Sequence, residues 1–483
     1  MRKRLVCTVN KFFFMLFIRN FSKAFLIASA FSLLFSCSDK KEETPAPVDP
    51  NAIVELSGNI ATQTLVSSKK YLLKGNVFVQ SGVVLTIQPG TIILGDKGTK
   101  GTLIINKGGK IEAVGTAESP IVFTSEREVG ERDKGDWGGI IILGSANTNQ
   151  SNPAIEGVSP AVNFGTQNST ANDNESSGTL KYVRIEFAGI ALSPNNEING
   201  LTFGSVGSGT VVENVQVSFS GDDAFEWFGG TVNCKNLVAY STWDDDFDTD
   251  FGYTGKIQFA LSVRDPFSAD QSGSNAFESD NDAGGTAALP LTAPVFSNVT
   301  VFGPRYDSSS SVSGSYQHAA HLRRRTATSI FNSVITGFPI GLRIDGKTTF
   351  DNYTSGAGEV ENNLLISLGN RTAPRPFMGG TNTTDDEVKT YFNAGNPAGA
   401  ISFNHQLNYA NLGLDVNLYL GKTPAYPSNP SFGVSSGVIS SGADFTPAKL
   451  GGSFFQNVPF HGAFGASDWT DTWTNFDPKA VAY

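Results

Sequence analysis

The sequence predicts an all-β chain wound as a parallel β-helix, and three observations lead there. Composition favours strands and tight turns over helices: among 483 residues there are 52 Gly, 22 Pro and 36 Phe, but only 3 Met. Short β-branched segments follow one another between Gly, Pro and Asn. One segment recurs at a constant offset of 22 residues. Charged residues make up 17% and aromatic residues 11%, which excludes a disordered chain. The length allows roughly three ordinary domains or one long all-β unit.

The strands begin early. Between residues 71 and 124 the chain reads Tyr71-Leu-Leu-Lys-Gly, Val83-Val-Leu-Thr-Ile, Gly90-Thr-Ile-Ile-Leu, Thr102-Leu-Ile-Ile-Asn, Lys110-Ile-Glu-Ala-Val-Gly and Pro120-Ile-Val-Phe-Thr. None has the 3.6-residue period of a helix. The repeat follows. Asn214-Val-Gln-Val-Ser-Phe-Ser-Gly-Asp-Asp-Ala-Phe-Glu aligns with Asn236-Leu-Val-Ala-Tyr-Ser-Thr-Trp-Asp-Asp-Asp-Phe-Asp, so that Asp222 meets Asp244, Phe225 meets Phe247 and Glu226 meets Asp248. Shorter echoes start at Asn298, Asn332 and Asn363. A propeller blade needs a longer period, and a sandwich needs no constant offset. Coils of this length stack equivalent residues about 4.8 Å apart. Residues 145–178, rich in Asn, Ser and Gly, are expected to loop out of one coil. The β-helix is expected over 53–369, and 370–483, with a helix at Asp385–Asn393, as a cap or flank.

The first 36 residues hold Arg2, Lys3, Arg4, Lys11, Arg19 and Lys23, no acid, and an apolar run from Phe25 to Phe35. They read as an export signal starting at Met1 or Met15. Removing them takes the 35 basic residues to 29 against 45 acidic ones, a net charge of -16. That balance argues against nucleic acid as a partner. Leu33-Leu-Phe-Ser-Cys37 resembles a lipobox, although Phe35 is bulkier than usual, and this implies a lipid-modified (palmitoylated) Cys37. The acidic and Pro-rich stretch from Ser38 to Asn51 is a tether that stretches about 45 Å. Beyond Cys7 and Cys37 only Cys234 remains, so the mature body has no internal disulfide; Cys234 reads as a small buried hydrophobe.

Phe225 and Phe247 are expected to point inward. Alternation then turns Asp222, Ala224, Glu226 and Phe228 outward on one coil, and Asp244, Asp246, Asp248 and Asp250 on the next. After an insertion around Lys256 to Gln271, Asn275-Ala-Phe-Glu continues the pattern and presents Glu278, Asp280 and Asp282. Stacked carboxylates about 4.8 Å apart repel by about 3 kcal/mol at an effective dielectric near 20. Protons, a cation or a basic strand must compensate. Calcium suits Asp222, Glu226, Asp244, Asp246, Asp248, Asp250, Glu278 and Asp280 as ligands. His318-Ala-Ala-His-Leu-Arg-Arg-Arg325 is the one dense basic segment of the mature chain, and His321 and Arg323 are candidate charge partners. Spacing of three on a strand sets His318 and His321 on opposite faces, which disfavours a zinc pair.

This organisation resembles right-handed parallel β-helix proteins of the pectate-lyase-like fold. In its wording it is similar to a group of Bacteroidota surface lipoproteins. The stretches that carry the resemblance are Gly135-Asp-Trp-Gly-Gly-Ile-Ile-Ile-Leu-Gly, Lys181-Tyr-Val-Arg-Ile-Glu-Phe-Ala-Gly, Gly221-Asp-Asp-Ala-Phe-Glu-Trp-Phe-Gly-Gly, Asp244-Asp-Asp-Phe-Asp-Thr-Asp, Gly273-Ser-Asn-Ala-Phe-Glu and Gly462-Ala-Phe-Gly-Ala-Ser-Asp-Trp-Thr. It covers most of residues 70–475 and implies an outer-membrane, surface-exposed address, but little about activity. The acidic stretch directly after Cys37, Ser38-Asp-Lys-Lys-Glu-Glu43, resembles the surface-export signal of that group. Gly221-Asp-Asp also resembles the acidic pair of polygalacturonase-like hydrolases, and Leu342-Arg-Ile-Asp their Arg-Ile-Lys element. Asp345 replaces the Lys, and no Gly-His-Gly stands between the two.

The expected function is therefore non-catalytic: an acidic, calcium-ordered face that binds an outer-membrane protein complex or a polysaccharide. A calcium-dependent lyase using Arg323, Arg264 or Arg343 as base is the alternative. A glycan-binding adhesin using Trp227 and Trp243 is another, although both indoles are expected to pack at coil corners.

Overall fold

Short strands separated by sharp bends wind the chain into stacked parallel coils. The computed structural model describes residues 52–167, 170–193, 196–307, 309–366, 375–394, 412–422 and 426–483. The export signal, Cys37 and the tether to Asn51 lie outside the described residues. Among the described residues no helix is long and apolar enough to cross a membrane.

A representative coil consists of a long strand bent at its middle, Val211–Ser218, and a second strand, Phe225–Gly230. The next coil repeats them as Asn233–Tyr240 and Phe247–Asp250. Pairing is parallel and in register, with Val215 beside Leu237 and Phe225 beside Phe247. The two halves of the bent strand and the second strand form three faces. The stack runs from Val54–Ile60 to Arg375–Met378, past residue 369.

The bend explains the repeated Asn. Asn214, Asn236, Asn298, Asn332 and Asn362 all have φ between 52° and 57°. That left-handed backbone is costly for most L-residues and least so for Asn and Gly. Two expectations are corrected here. The last echo is one residue off: register pairs Val334 with Leu364, so Asn362 holds the bend, while Asn363 turns inward to bond Ser333 N and Ile330 O. Lys256–Val263 is no insertion but a full bent strand, with Phe259 at φ 61° where its neighbours carry Asn. The extra residues follow it.

The interior fills with columns. Phe225 stacks on Phe247 at 6.0 Å, and Trp227 lies between Phe203 and Tyr253 at 5.8 and 5.6 Å. Trp227 is fully buried inside the coils, not at a corner. Each such side chain contributes about 1.5–3 kcal/mol by leaving water. At the far end helix α1 (Lys347–Thr354) and helix α2 (Asp385–Ala394) close the stack. The start of α2 is fixed by a reciprocal pair, Thr384 N to Glu387 Oε2 at 2.8 Å and Glu387 N to Thr384 Oγ1 at 3.2 Å. Its Val388 and Phe392 join the core.

Two further pieces dress the outside. The insertion after Gly139–Leu143 lays Ile155, Val158 and Phe164 over Ile104, Ile141 and Phe228. Residues 426–483 run back along the outer side of the bent strands as a strap. Phe432, Phe464, Trp473 and Phe476 cover Val238, Tyr240, Leu261 and Phe302. Three carboxamides grip the strap by its backbone: Gln216 both donates to and accepts from Asn475, Gln258 does the same with Gln456, and Asn332 with Asp444, all at 2.8 Å.

If the bend selects Asn for its backbone, Asn236→Ala should cost about 1 kcal/mol and Asn236→Gly less than half of that. Urea denaturation of the two variants measures the difference; equal losses would assign the stabilisation to the Asn side chain.

Candidate acidic site

Five parallel strands carry the site: β1 (Phe225–Gly230), β2 (Phe247–Asp250), β3 (Phe277–Ser279), β4 (His318–Arg323) and β5 (Ile340–Asp345). Their register places Glu226, Asp248, Glu278, His321 and Arg343 in one outward column. The expected acid column is thus present, and His321 directly continues it. Asp280 follows the end of β3, where its N–H donates to Thr249 O at 3.0 Å, one residue before Asp250.

The corner before each strand departs from simple alternation. Ala224, Ala276 and Ala319 all point into the core, beside the inward Phe225, Phe277 and Ala320. Two consecutive inward residues fit only where the chain turns. Asp246 occupies this alanine column on its own coil, so it points inward and is not part of the acidic face. Fully buried, it meets the buried Arg264 at 2.7 Å and bonds Ser262 Oγ. The Arg264 guanidinium lies 5.2 Å from the Tyr316 ring centre. Arg264 is therefore sealed inside the coils and cannot serve as an accessible base.

The same corner brings in residues that alternation misses. Asp223 Oδ1 accepts from Asp245 N at 2.8 Å, Asp245 Oδ1 from Asn275 N at 2.5 Å, and Asn275 Oδ1 from His318 N at 3.2 Å. Each side chain caps the equivalent N–H one coil further on. This ties Asp223 in place against the acids around it. Asp222, Asp223 and Asp244 form one group, and Asp223, Glu226 and Asp248 a second; within each, one carboxylate oxygen per residue lies within 4.8 Å of the others. Oδ1 of Asp244 and Oδ1 of Asp248 are buried and have no hydrogen-bond partner among the described residues. From the insertion, Glu156 approaches the edge of the site. Asn199 Nδ2 donates to Glu226 Oε2. The repeat could have shown Asp223, because Asp223, Asp245, Asn275 and His318 align; nothing local in the sequence points to Glu156.

Charge compensation differs along the column. Burial, then the charges of neighbouring acids, push Asp222, Asp223, Glu226, Asp248 and Asp250 well above the usual carboxylate range. Burial, Asp270 and Glu278 push Asp244 up to about 7; Glu156, exposed at the edge of the site, is raised in the same direction by the protein around it and by Glu197. Farther down, bases take over. Burial pushes Glu278 upward, but the His321 hydrogen bond and the Arg323 charge outweigh it and hold Glu278 low. Arg323 pairs with Glu278 and, at 2.8 Å, with Asp280; Arg324 meets Asp280 at 2.6 Å. His321 bridges Glu278 at 3.5 Å and Asp345 at 3.3 Å, and Arg343 pairs with Asp345 at 2.8 Å. Asp282 is spent on its own turn, accepting from Gly284 N and Thr286 N.

His318 and His321 are not separated as alternation predicts. Their rings lie 4.7 Å apart, because His318 stands at the corner and turns its Nδ1 to Asn275 Oδ1 at 3.1 Å. Of the candidate aromatics only Trp243 reaches solvent, 38% exposed, with its Nε1–H donated to Asp270 at 3.0 Å. Cys234 is buried and free, as expected.

A family model described as the pectate-lyase-like β-helix domain matches residues 58–405. Neither the curated proteins nor the solved structures contain a match to the chain.

Two outcomes follow. The raised carboxylates bind protons more tightly in the folded than in the unfolded chain. Without metal, stability should therefore fall as pH rises from about 5 to about 8, through the value near 7 of Asp244. Thermal melts in chelator over that range test the sign; a rise with pH contradicts it. Asp246→Ala should cost about 3–5 kcal/mol, because it strands the buried Arg264 charge, and urea unfolding measures that.

Proposed function

The chain belongs to the family of pectate-lyase-like β-helix domains, and on that premise we propose that it is a non-catalytic, lipid-anchored lipoprotein of the bacterial outer-membrane surface whose calcium-ordered acidic face binds an outer-membrane protein complex or a polysaccharide. The anchor rests on Leu33 to Cys37 and the acidic tether after it. The Bacteroidota source rests on the motif resemblance.

One observation carries the non-catalytic reading. Every arginine considered as a lyase base is committed to a carboxylate: Arg264 to Asp246, Arg323 to Glu278 and Asp280, Arg343 to Asp345. Among the described residues the acids upstream form no such ion pair. Asp222, Asp223 and Asp244, and again Asp223, Glu226 and Asp248, offer oxygens within 4.8 Å of one another in each group. Two ligands on opposite sides of a calcium ion, each at about 2.4 Å, have that separation. Calcium would replace the protons that otherwise quiet the cluster and hold β1 and β2 rigid for a partner.

Calcium titration of the mature protein at pH 7.5 tests this. Wild type should bind saturably and melt at a higher temperature with calcium. Glu226→Gln combined with Asp248→Asn should weaken binding about tenfold or more while the fold persists. Binding unchanged in that variant refutes the assigned ligands. Release of unsaturated, ultraviolet-absorbing products from acidic polysaccharides would overturn the non-catalytic reading. Partners should co-isolate with the lipidated wild type in calcium and not with the double variant.

A further inference from the structure

The basic segment His318–Arg325 is only partly consumed by the acids. Beyond the end of β4 the chain turns with two successive non-glycine residues in the left-handed region, Arg324 at φ 46° and Arg325 at φ 70°. Such backbone costs about 1–3 kcal/mol per residue and must be held by its surroundings. Here Arg325 N donates to Thr349 Oγ1 at 2.9 Å, and Arg325 Nε to Gly285 O at 3.2 Å. The turn sets the arginines around a cavity of about 440 Å³, lined by Arg323, Arg324, Lys347, Thr348, Thr381 and Asn382 among others.

We propose that this cavity is a binding site for a tetrahedral oxyanion, a phosphate or sulfate group that is either free or carried as a monoester. Cations reach it from two elements, Arg323 and Arg324 from the end of β4 and Lys347 from the start of α1, where Lys347 gives one of its three donors to Asp351. Their donors are not exhausted. Arg323 spends Nε and one Nη on Asp280 and Glu278, and Arg324 spends one Nη on Asp280. Both guanidinium groups therefore retain N–H bonds to offer. Helix α1 opens on the same cavity: Gly346 supplies no side-chain cap, and its first turn holds no acid. Its leading N–H groups thus add donors and a favourable dipole end to those of the side chains. Thr348, Thr381 and Asn382 provide neutral polar groups. The acid in the wall, Asp345, is already occupied: Oδ2 by His321 and Arg343, Oδ1 by Thr381 N at 3.2 Å. Donors that surround a volume, in place of one planar fork, suit a tetrahedral group better than a carboxylate.

This site does not depend on the cation face, and its test keeps the two apart. Inorganic phosphate, inorganic sulfate and glucose 6-phosphate are titrated into the mature protein at constant ionic strength, followed by calorimetry. Saturable binding of either inorganic ion supports a free-ion site; binding of the sugar phosphate alone supports the monoester. Lys347→Gln, at an exposed side chain, should weaken binding about tenfold with the melting temperature in chloride unchanged; Arg324→Gln should weaken it as much but also lower the melting temperature, because it removes a partner of the buried Asp280. The Glu226→Gln/Asp248→Asn variant should bind the anion like wild type. No saturable binding of any of the three, or equal binding by Arg324→Gln and Lys347→Gln, overturns the proposal.

Discussion

In-register parallel stacking governs this molecule. Once coils repeat with Phe225 beside Phe247 and Phe247 beside Phe277, every residue type becomes a column with neighbours about 4.8 Å above and below. Columns amplify whatever they contain. Aromatic rings gain stacked partners, left-handed Asn bends recur where the backbone needs them, and corner side chains cap the N–H of the next coil. The same geometry multiplies repulsion when the residue is an acid, which is why the outward side of β1 to β3 needs compensation.

That compensation divides the face in two. Toward β4 and β5, guanidinium groups neutralise Glu278, Asp280 and Asp345 directly, and His321 bridges Glu278 and Asp345. Toward β1 and β2 the acids have one another, the capping N–H groups and little else, so protons or a cation must settle among them. The insertion sharpens the contrast. Its apolar side chains cover the Ile104 and Ile141 end of the column, and Glu156 brings one more carboxyl to the border. A single column thus passes from covered and apolar, through acidic, to basic over a few coils.

Much of this was legible in the sequence, because a constant offset of 22 residues is a one-dimensional image of the stacking. The fold class, the Phe225/Phe247 core and the Glu226–Asp248–Glu278 column follow from it. What escaped did so for local reasons. Strand alternation fails at the corner, where Ala224 and Phe225 both face inward; alternation therefore puts Asp246 outside, leaves Asp223 out of the ligand set and separates His318 from His321. Phe259 hid a whole bent strand because it took the place of the expected Asn. Glu156 lies some 70 residues from Glu226 in sequence (156 against 226), and no pattern connects an insertion to the face it covers. The anchor and tether are read from sequence alone.

The strap alters what kind of object the solenoid is. A stack of coils in which each touches only its neighbours can fray from either end, one coil at a time. Here the chain returns: Asn362 near the last coil holds Gly442 O, Gln216 in the middle holds Asn475, and Lys70 in the first coils reaches Tyr483 O at 2.6 Å. Neighbour-only contacts become end-to-end ones, and the coils share one fate in unfolding. The grip is on peptide groups, so it tolerates sequence drift in the strap outside its aromatic anchors. It also imposes an order on assembly, for the earliest coils receive their last contacts only after the latest part of the chain has emerged.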